Sequence, residues 1–200
     1  MAERELPELS VVELNGETFP LLEDLFGPNG AVGGCWCMWF RQSHSEQNAN
    51  AGEPNRLALR GLAERGEPVG LIAVDESDGR AHGWIAVSPR PVQTRLARSS
   101  VSAPPDPAED LTDVWCVTCL FIRAGWRRRG IGGVLLSAAV RYAARHGARI
   151  VEGYPVETRP DRRYGTGELY HGTVGLFTKA GFDVVARRGA RRALVRYTVE

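Results

Sequence analysis

Lysine, methionine and long apolar runs are scarce in this sequence of 200 residues. One lysine stands against 24 arginines, methionine occurs twice, and the formal net charge is only +1. No apolar run approaches the roughly 20 residues that span a bilayer. The acidic start, Met1 to Glu8, also lacks the basic region of a secretory or transit signal. These absences predict a cytoplasmic protein with no membrane partner.

Cysteine is also scarce, and the four that occur are Cys35, Cys37, Cys116 and Cys119. A reducing cytosol favours free thiols or a metal site over disulfides. Four thiols suffice for zinc, but residues three apart on a strand point to opposite faces, which would separate Cys116 from Cys119. We therefore expect buried thiols at these two positions and no metal.

The small net charge conceals an uneven distribution. Residues 1–113 hold 9 arginines and 18 acidic residues, whereas residues 114–200 hold 16 basic and 6 acidic residues. A basic C-terminal half suits an anionic ligand, and an acidic N-terminal half tolerates a neutral or cationic one. Charge scattered over a solvated surface would give the same numbers, so the distribution favours an anionic ligand without requiring it.

The length and the hydrophobic content of 43% predict one compact domain over residues 1–200. Residues 1–66 are interpreted as short helices and loops, with helices at 19–26 and 55–65. A β-hairpin follows at 68–74 and 81–87, and then a proline-rich loop over 89–113 that is either functional or mobile. The elements predicted beyond it are a buried strand (114–122), a helix (131–144), a strand (148–156), a helix (169–180) and a terminal hairpin (182–187 and 193–199).

The turn Arg127-Arg128-Arg129-Gly130-Ile131-Gly132-Gly133 lies between the buried strand and the clearest helix. A helix start offers unpaired N–H groups and the positive end of the helix dipole, and glycines let a phosphate approach the backbone. The turn lacks the Gly-Lys-Ser/Thr ending of a P-loop, and it lacks the third glycine and distant acidic residue of a dinucleotide fold. It therefore predicts a pyrophosphate site of another kind.

In this context the sequence resembles the GCN5-related N-acetyltransferases (GNATs). The family motif Arg/Gln-x-x-Gly-x-Gly/Ala is matched by Arg127, Gly130 and Gly132, and residues 176–182 are similar to the family's closing helix and strand. The resemblance covers 67–200 as sheet and cofactor-binding core, whereas 1–66 match only as a helical cap on the acceptor side. It implies an α/β fold whose mixed, mostly antiparallel sheet splays open between the strands at Val114 and Ile150.

The resemblance also implies acetyl-CoA as the acyl donor. The backbone of Leu120, Phe121 and Ile122 would pair with the pantetheine arm as a strand does, and an N–H near Phe121 would stabilise the oxyanion. The turn would hold the pyrophosphate. The positions implied there are Arg127, Arg128, Arg129, Gly130, Ile131, Gly132 and Gly133.

Two positions depart from the family pattern. Cys116 stands where many members have a glutamate base, and Phe177 stands where many have a tyrosine acid. Candidate catalytic substitutes are Asp113, Glu152 and Tyr170, each of which also fits a structural or solvated role. Without an acid or base, transfer still requires that a free amine reach the thioester carbonyl.

Aromatic residues crowd the segment from Cys35 to Phe40. We predict that Trp36, Met38 and Trp39, with Trp84 from the hairpin, form the wall of an acceptor pocket, although packing in the core explains the same composition.

The predicted function is direct acetyl transfer to a primary amine of a small molecule or peptide, by a monomer or homodimer that does not bind nucleic acid. Transfer of another acyl group, or to oxygen, is a second enzymatic possibility. A noncatalytic acyl-CoA sensor is the alternative from another class. A third is nucleic-acid binding, which would use Arg159, Arg162, Arg163, Arg187, Arg188, Arg191 and Arg192 but lacks any accompanying motif.

Overall fold

A computed structural model describes residues 8–159 and 161–199. Its strands are β1 (Leu9–Glu13), β2 (Leu71–Asp75), β3 (Ala81–Pro89), β4 (Val114–Ile122), β5 (Ile150–Gly153), β6 (Asp183–Arg188) and β7 (Arg192–Thr198). Its helices are α1 (Phe19–Phe26), α2 (His44–Asn50), α3 (Glu53–Glu64), α4 (Ile131–Arg145) and α5 (Val174–Lys179). Within the described ranges, no helix is both long enough and apolar enough to cross a bilayer.

These seven strands form one sheet in the order β1-β2-β3-β4-β5-β7-β6. Neighbours are antiparallel except β4 and β5, which run parallel, so the predicted mixed and mostly antiparallel α/β sheet is confirmed. The interpretation of residues 1–66 as helices and loops alone is wrong, because β1 pairs with β2 at the edge of the sheet. That strand has only five residues and does not alternate throughout, so it lacks the usual signal.

Helices cover both faces of the sheet. Leu135 of α4 belongs to the core on one face, and Leu22 of α1 belongs to the core on the other. α4 approaches β3 closely at Gly83, where an added Cβ would lie 2.8 Å from side-chain atoms of Ile131 and of Leu135. This packing fixes the first turn of α4 against the central strands.

The predictions for β4 and α4 are confirmed. β4 covers the predicted residues and is buried over most of its length, while α4 extends one residue further than predicted. Ser137 and Arg141 lie on the exposed side of α4, opposite its apolar stripe. Gly147 follows the helix with a φ of 83°, the left-handed conformation that glycine adopts most readily at a helix end.

The predicted splay lies between β4 and β5. The two strands pair over four residues only, from Val114 opposite Ile150 to Val117 opposite Gly153. Phe177 of α5 is fully buried and lies so close to Gly153 that a Cβ there would overlap its ring. Beyond this point the C-terminal end of β4 no longer pairs with β5.

A β-bulge on β4 coincides with the splay. Ala86 of β3 pairs with Cys119 and Val87 pairs with Val117, which leaves Thr118 without a partner. The extra residue reverses the alternation of the side chains that follow it. Contrary to the prediction, Cys116 and Cys119 therefore lie on the same face of the sheet, away from α4, although they belong to different clusters of the core.

The loop over 89–113 and the segment after β5 differ from their predicted forms. The loop is anchored by short 3-10 turns, in which Arg90 and Leu96 are buried. α5 begins at Val174, so Tyr170 and His171 lie in the turn before it and not in a helix. Thr173 caps α5 by accepting a hydrogen bond from the Leu176 N–H.

Candidate active site

A groove with a volume of about 220 Å³ lies between the C-terminal end of β4, the first turn of α4 and the segment before α5. It contains five of the ten predicted cofactor-binding residues. The residues that line this groove are Val32, Leu120, Phe121, Ile122, Arg127, Gly132, Tyr164, Leu169, Tyr170, Gly172, Thr173 and Leu176.

The start of α4 forms one end of the groove. Gly130 is the N-cap residue and has a φ of 88°, which favours glycine at this position. α4 has 15 residues, so its first N–H groups and its dipole present a positive end there. Arg127 donates a hydrogen bond from Nε to the Ile122 carbonyl, and Arg129 donates one to the Gly125 carbonyl. The Arg127 bond holds the arginine-rich turn against β4, and the Arg129 bond closes the turn on itself.

The remaining predicted positions of the turn contribute in other ways. Arg128 has a φ of 62°, an uncommon backbone conformation for a residue with a side chain. Ile131 is buried in the core beneath α4, so its side chain anchors the helix. Arg128, Arg129, Gly130 and Gly133 belong to the turn or to the first turn of α4, but the groove lining does not include them.

The backbone of β4 offers alternate residues to the groove. The Arg123 N–H donates a hydrogen bond to the His82 carbonyl of β3, and Phe121 pairs with Trp84 of β3. Because backbone groups alternate in direction along a strand, the N–H and carbonyl of Phe121 also point toward β3. The predicted oxyanion N–H at Phe121 is therefore engaged within the sheet. Leu120 and Ile122 face the groove side instead.

The Leu120 N–H already has a partner on that side. It donates a hydrogen bond of 2.6 Å to the Tyr170 carbonyl, so the segment before α5 takes the place that β5 has vacated. Of the three predicted backbone positions, Ile122 is the one whose N–H direction and place at the groove suit an extended ligand.

A second cavity, here called the side cavity, has a volume of about 280 Å³ and shares Val32, Phe121 and Tyr170 with the groove. Its lining is mainly apolar. The residues around it are Ala31, Val32, Gly33, Cys35, Trp39, Gln47, Asn48, Ala51, Cys119, Phe121 and Tyr170. The shared residues make the groove and the side cavity neighbours across one wall.

Gln47 is the unusual member of the side cavity. It lies on α2, is only 4% exposed, and its Oε1 has no hydrogen-bond partner among the described residues. A buried acceptor without a partner is costly unless a ligand or water satisfies it. No sequence pattern indicates that this residue is buried, because every side chain of α2 except Ala49 is polar and the helix has no apolar stripe.

Three of the four predicted acceptor residues do not line the side cavity. Trp36, Met38 and Trp84 are buried in the core between the sheet and α1, where Trp36 stacks on Phe19. For these three the alternative of core packing is correct, because the segment turns its larger apolar side chains toward the sheet.

Trp39 is the predicted acceptor residue that lines the side cavity. The Arg95 guanidinium lies 4.1 Å from the centre of its ring. Cys35 also faces the cavity, and the neighbouring Cys37 thiol raises the pKa of Cys35, which keeps it a neutral thiol. This part of the cavity wall is therefore aromatic and uncharged, and the Arg95 guanidinium packs on the Trp39 ring.

Glu152 is fully buried in the paired part of β5, opposite Cys116, and lines neither cavity. Its Oε1 accepts hydrogen bonds of 2.5 Å from Arg90 Nε and from the Tyr154 hydroxyl. Its Oε2 accepts a 3.2 Å bond from Arg196. With both oxygens engaged, Glu152 joins the loop over 89–113, β5 and β7 in the core.

Asp113 and Tyr170 lie near opposite ends of β4. Asp113 precedes the first residue of β4, pairs with Arg149 at 3.0 Å, and is therefore at the opposite end of the strand from the groove. Tyr170 lines both cavities. Burial raises the pKa of Tyr170, against the opposing effect of Arg192, so its hydroxyl keeps its proton at neutral pH.

The surroundings of Tyr170 are positive. The positive charges of Arg192 and Arg95 both lower the pKa of its hydroxyl, against the larger effect of burial. Neither cavity lining includes a carboxylate among the residues described. The adjacent His171 is buried, and burial together with Arg192 lowers the pKa of His171 to about 3. His171 is therefore a neutral imidazole under physiological conditions.

The arginines considered for nucleic-acid binding are partly paired. Arg162 and Arg191 form ion pairs with Glu168, and Arg187 pairs with Glu157. Arg188 donates a hydrogen bond to the Ala103 carbonyl. Much of their positive charge is therefore paired with groups of the same chain.

Known proteins resemble this chain in family model and in fold. Residues 33–172 match the model of the Acetyltransferase (GNAT) family. A GCN5-related N-acetyltransferase from Kribbella flavida has a TM-score of 0.55 at 18% identity, with 96% of this chain and 98% of that chain covered. A PaiA N-acetyltransferase from Thermoplasma acidophilum, in complex with coenzyme A, has a TM-score of 0.55 at 14% identity, covering 96% and 99%.

A GNAT family acetyltransferase from Listeria monocytogenes has a TM-score of 0.56 at 10% identity, with 96% of each chain covered. No curated protein matches the sequence. At these identities the likeness to solved structures concerns the fold.

Proposed function

The chain belongs to the GNAT family of acetyltransferases, and on that premise we propose that it transfers an acetyl group from acetyl-CoA to a primary amine. One observation carries the proposal: the groove and the side cavity meet at Phe121 and Tyr170. A thioester lying in the groove and an amine held in the side cavity would come together across this shared wall.

The residues of the groove fit coenzyme A. The N–H groups of α4 that precede Gly133, whose own N–H bonds to the Gly130 carbonyl, suit a pyrophosphate, and Arg127 adds a positive charge beside them. Ile122 would bond to the pantetheine arm through its backbone N–H, extending the sheet where β5 has diverged. Leu176 and Leu120 supply apolar walls for the same arm.

The thioester supplies an activated carbonyl carbon, which the nitrogen of the amine attacks. The new C–N bond forms, the C–S bond breaks, the amine loses one proton and the leaving thiolate gains one. Positive groups near the site, Arg95 and Arg192, favour the neutral form of the amine that attack requires. Tyr170 remains protonated and lies on the shared wall, so we assign it the donation of a proton to the thiolate.

The side cavity indicates the class of acceptor. It is mainly apolar, and the described residues of its lining include no carboxylate to pair with a polycation or a basic side chain. Cavities of about 150 Å³ hold benzene, so about 280 Å³ suits an aromatic or aliphatic amine of roughly twice that size. The unpartnered Gln47 Oε1 favours an acceptor that carries a hydrogen-bond donor away from the reacting nitrogen.

Coenzyme A binding tests the first half of the proposal. The melting temperature should rise with added coenzyme A, and Gly130→Glu should abolish the rise by placing a carboxylate at the phosphate site. Gly147→Glu is the matched control, because Gly147 lies at the other end of α4 with a similar φ of 83°. Absence of a rise in the unaltered protein, or equal loss in both variants, would contradict the proposal.

Thiol release from acetyl-CoA over a panel of amines tests the second half. Apolar primary amines should release thiol faster than polyamines at equal concentration. Binding of coenzyme A without thiol release from any amine would favour the alternative of an acyl-CoA sensor.

A further inference from the structure

Three potential ligand atoms converge where the turn joins the end of β2 to the start of β3. They are Asp75 Oδ2, Asp78 Oδ2 and His82 Nε2, and all lie within 4.8 Å of one another. Nε2 is 3.5 Å from the Asp75 oxygen and 3.9 Å from the Asp78 oxygen. None of these residues lines the groove or the side cavity.

Each carboxylate divides its two oxygens between the turn and the histidine. Asp75 Oδ1 accepts hydrogen bonds from the Ser77 N–H and hydroxyl. Asp78 Oδ1 accepts one from the Arg80 N–H. The turn is therefore held by the Oδ1 atoms, and both Oδ2 atoms are directed toward His82.

His82 is 2% exposed, and neither of its ring nitrogens has a hydrogen-bond partner among the described residues. Burying a polar group without a partner is costly. The imidazole is held in place by Trp126, whose ring stacks on it. A buried nitrogen fixed beside two carboxylate oxygens is the arrangement that a cation would satisfy.

We propose that Asp75, Asp78 and His82 bind a first-row divalent cation, of which Zn²⁺ and Co²⁺ are the best matched. Tetrahedral bonds of about 2.0–2.1 Å place ligand atoms roughly 3.3 Å apart, close to the 3.5 and 3.9 Å found here. One imidazole nitrogen and two carboxylate oxygens are ordinary ligands for these ions. Two carboxylates neutralise the charge of the ion.

The site is open to solvent on one side, and part of the positive charge near it is paired with a carboxylate. The Asp78 side chain is 44% exposed, which leaves a path for the ion and room for water as the remaining ligand. Arg80 and Arg123 lie nearby, but both pair with Asp24, at 3.3 Å and 2.5 Å. Asp24 thereby offsets one of the two positive charges that would repel a cation.

Co²⁺ titration of the full-length protein, freed of metal with a chelator, tests the proposal. We expect saturable binding with one ion per chain by calorimetry and a visible absorption band. Asp78→Asn keeps Oδ1, which accepts the Arg80 N–H and holds the turn, but replaces Oδ2 with an NH₂ group. It should therefore weaken Co²⁺ binding at least tenfold. Glu76→Gln removes the same charge from an exposed position of the same turn and should change it less than twofold.

Three results would overturn the proposal. One is the absence of saturable binding below millimolar Co²⁺. Another is an equal loss of affinity in both variants while their melting temperatures without metal match the unaltered protein. The third is a sulfur-to-cobalt charge-transfer band that saturates with the bound ion, which would place the ion on the cysteines.

Discussion

The imidazole of His82 and the indole of Trp126 stack face to face, with centroids 3.6 Å apart and planes inclined by 14°. On Trp126 lies a third group, the Arg129 guanidinium, 4.3 Å from the ring centre. This stack connects the turn between β2 and β3 with the arginine-rich turn before α4. The turn at which we propose that the pyrophosphate binds is therefore in contact with a stack that begins on another strand of the sheet.

Replacing Trp126 should weaken coenzyme A binding. Loss of the cation–π contact with Arg129 removes about 0.5–1 kcal/mol, so Trp126→Ala should raise the Kd for coenzyme A roughly two- to fivefold by calorimetry. Trp126→Phe keeps an aromatic face and should restore most of the affinity. An unchanged Kd in Trp126→Ala would show that the stack does not position the turn.

Tyr170→Phe should lower kcat and leave the Kd for coenzyme A nearly unchanged. Removing a general acid commonly costs roughly 10²-fold in rate, and steady-state kinetics with one amine measures it. Tyr164→Phe is the control, since Tyr164 lines the same groove but its hydroxyl oxygen already accepts the Arg159 N–H. Equal effects of the two substitutions would remove the proposed role of Tyr170.

Gln47→Leu should alter acceptor selectivity. With phenethylamine and its 4-hydroxy derivative as acceptors, the unaltered protein should prefer the hydroxylated amine about fivefold in kcat/KM, because a buried hydrogen bond contributes about 1 kcal/mol. In Gln47→Leu the preference should disappear. A preference that survives the substitution would mean that Gln47 does not contact the acceptor.

Glu152→Gln should destabilise the protein. Breaking a buried ion pair commonly costs about 3–5 kcal/mol, because the buried Arg90 would lose its anionic partner and Arg196 would keep only Glu109. Urea unfolding measures this loss. Glu168→Gln, which affects half-exposed ion pairs, should cost less than about 1 kcal/mol. A stable Glu152→Gln variant with activity lost 100-fold would instead support a catalytic role for Glu152.

Acid should destabilise the fold through His171. The pKa of His171 is lowered to about 3 in the folded chain, whereas an unfolded histidine has a pKa near 6.5. The unfolded state therefore binds the extra proton between these values, and the stability contributed above about pH 6.5 is lost as the pH falls.

The expected slope is up to about 1.4 kcal/mol per pH unit for this one group. Urea unfolding of His171→Asn between pH 7 and pH 4 should show a shallower fall in unfolding free energy than the unaltered protein. The exposed His44→Asn is the control. A fall of the same steepness in His171→Asn would contradict the assignment.

The sequence was most informative where one pattern ran over many residues. β4 is an unbroken β-rich run and α4 has a continuous apolar stripe, and both match their predicted bounds within one residue. Tertiary contacts decided the rest. β1 is defined by its pairing with β2, and the bulge at Thr118 is visible only in the register against β3.

In the candidate site too, the features set by a local motif could be predicted, whereas those set by tertiary contacts could not. The groove follows from Arg127 and Gly132, which belong to a local motif, and the structure places both at its lining. The side cavity joins distant segments, so the composition near Trp39 could not distinguish cavity wall from core. Gln47 became a candidate only through its burial and its unpartnered oxygen.

Thr118 has no partner on β3. The side chains of β4 therefore alternate between the two faces of the sheet in one phase before Thr118 and in the opposite phase after it. If Thr118 instead paired with β3 in a regular ladder, every later position would turn by one, sending Cys119 and Phe121 toward α4 and turning Leu120 and Ile122 to the other layer. The groove and the side cavity would then exchange walls. The unpaired state of Thr118 thus decides which face of the central strand presents each side chain to the groove and to the side cavity.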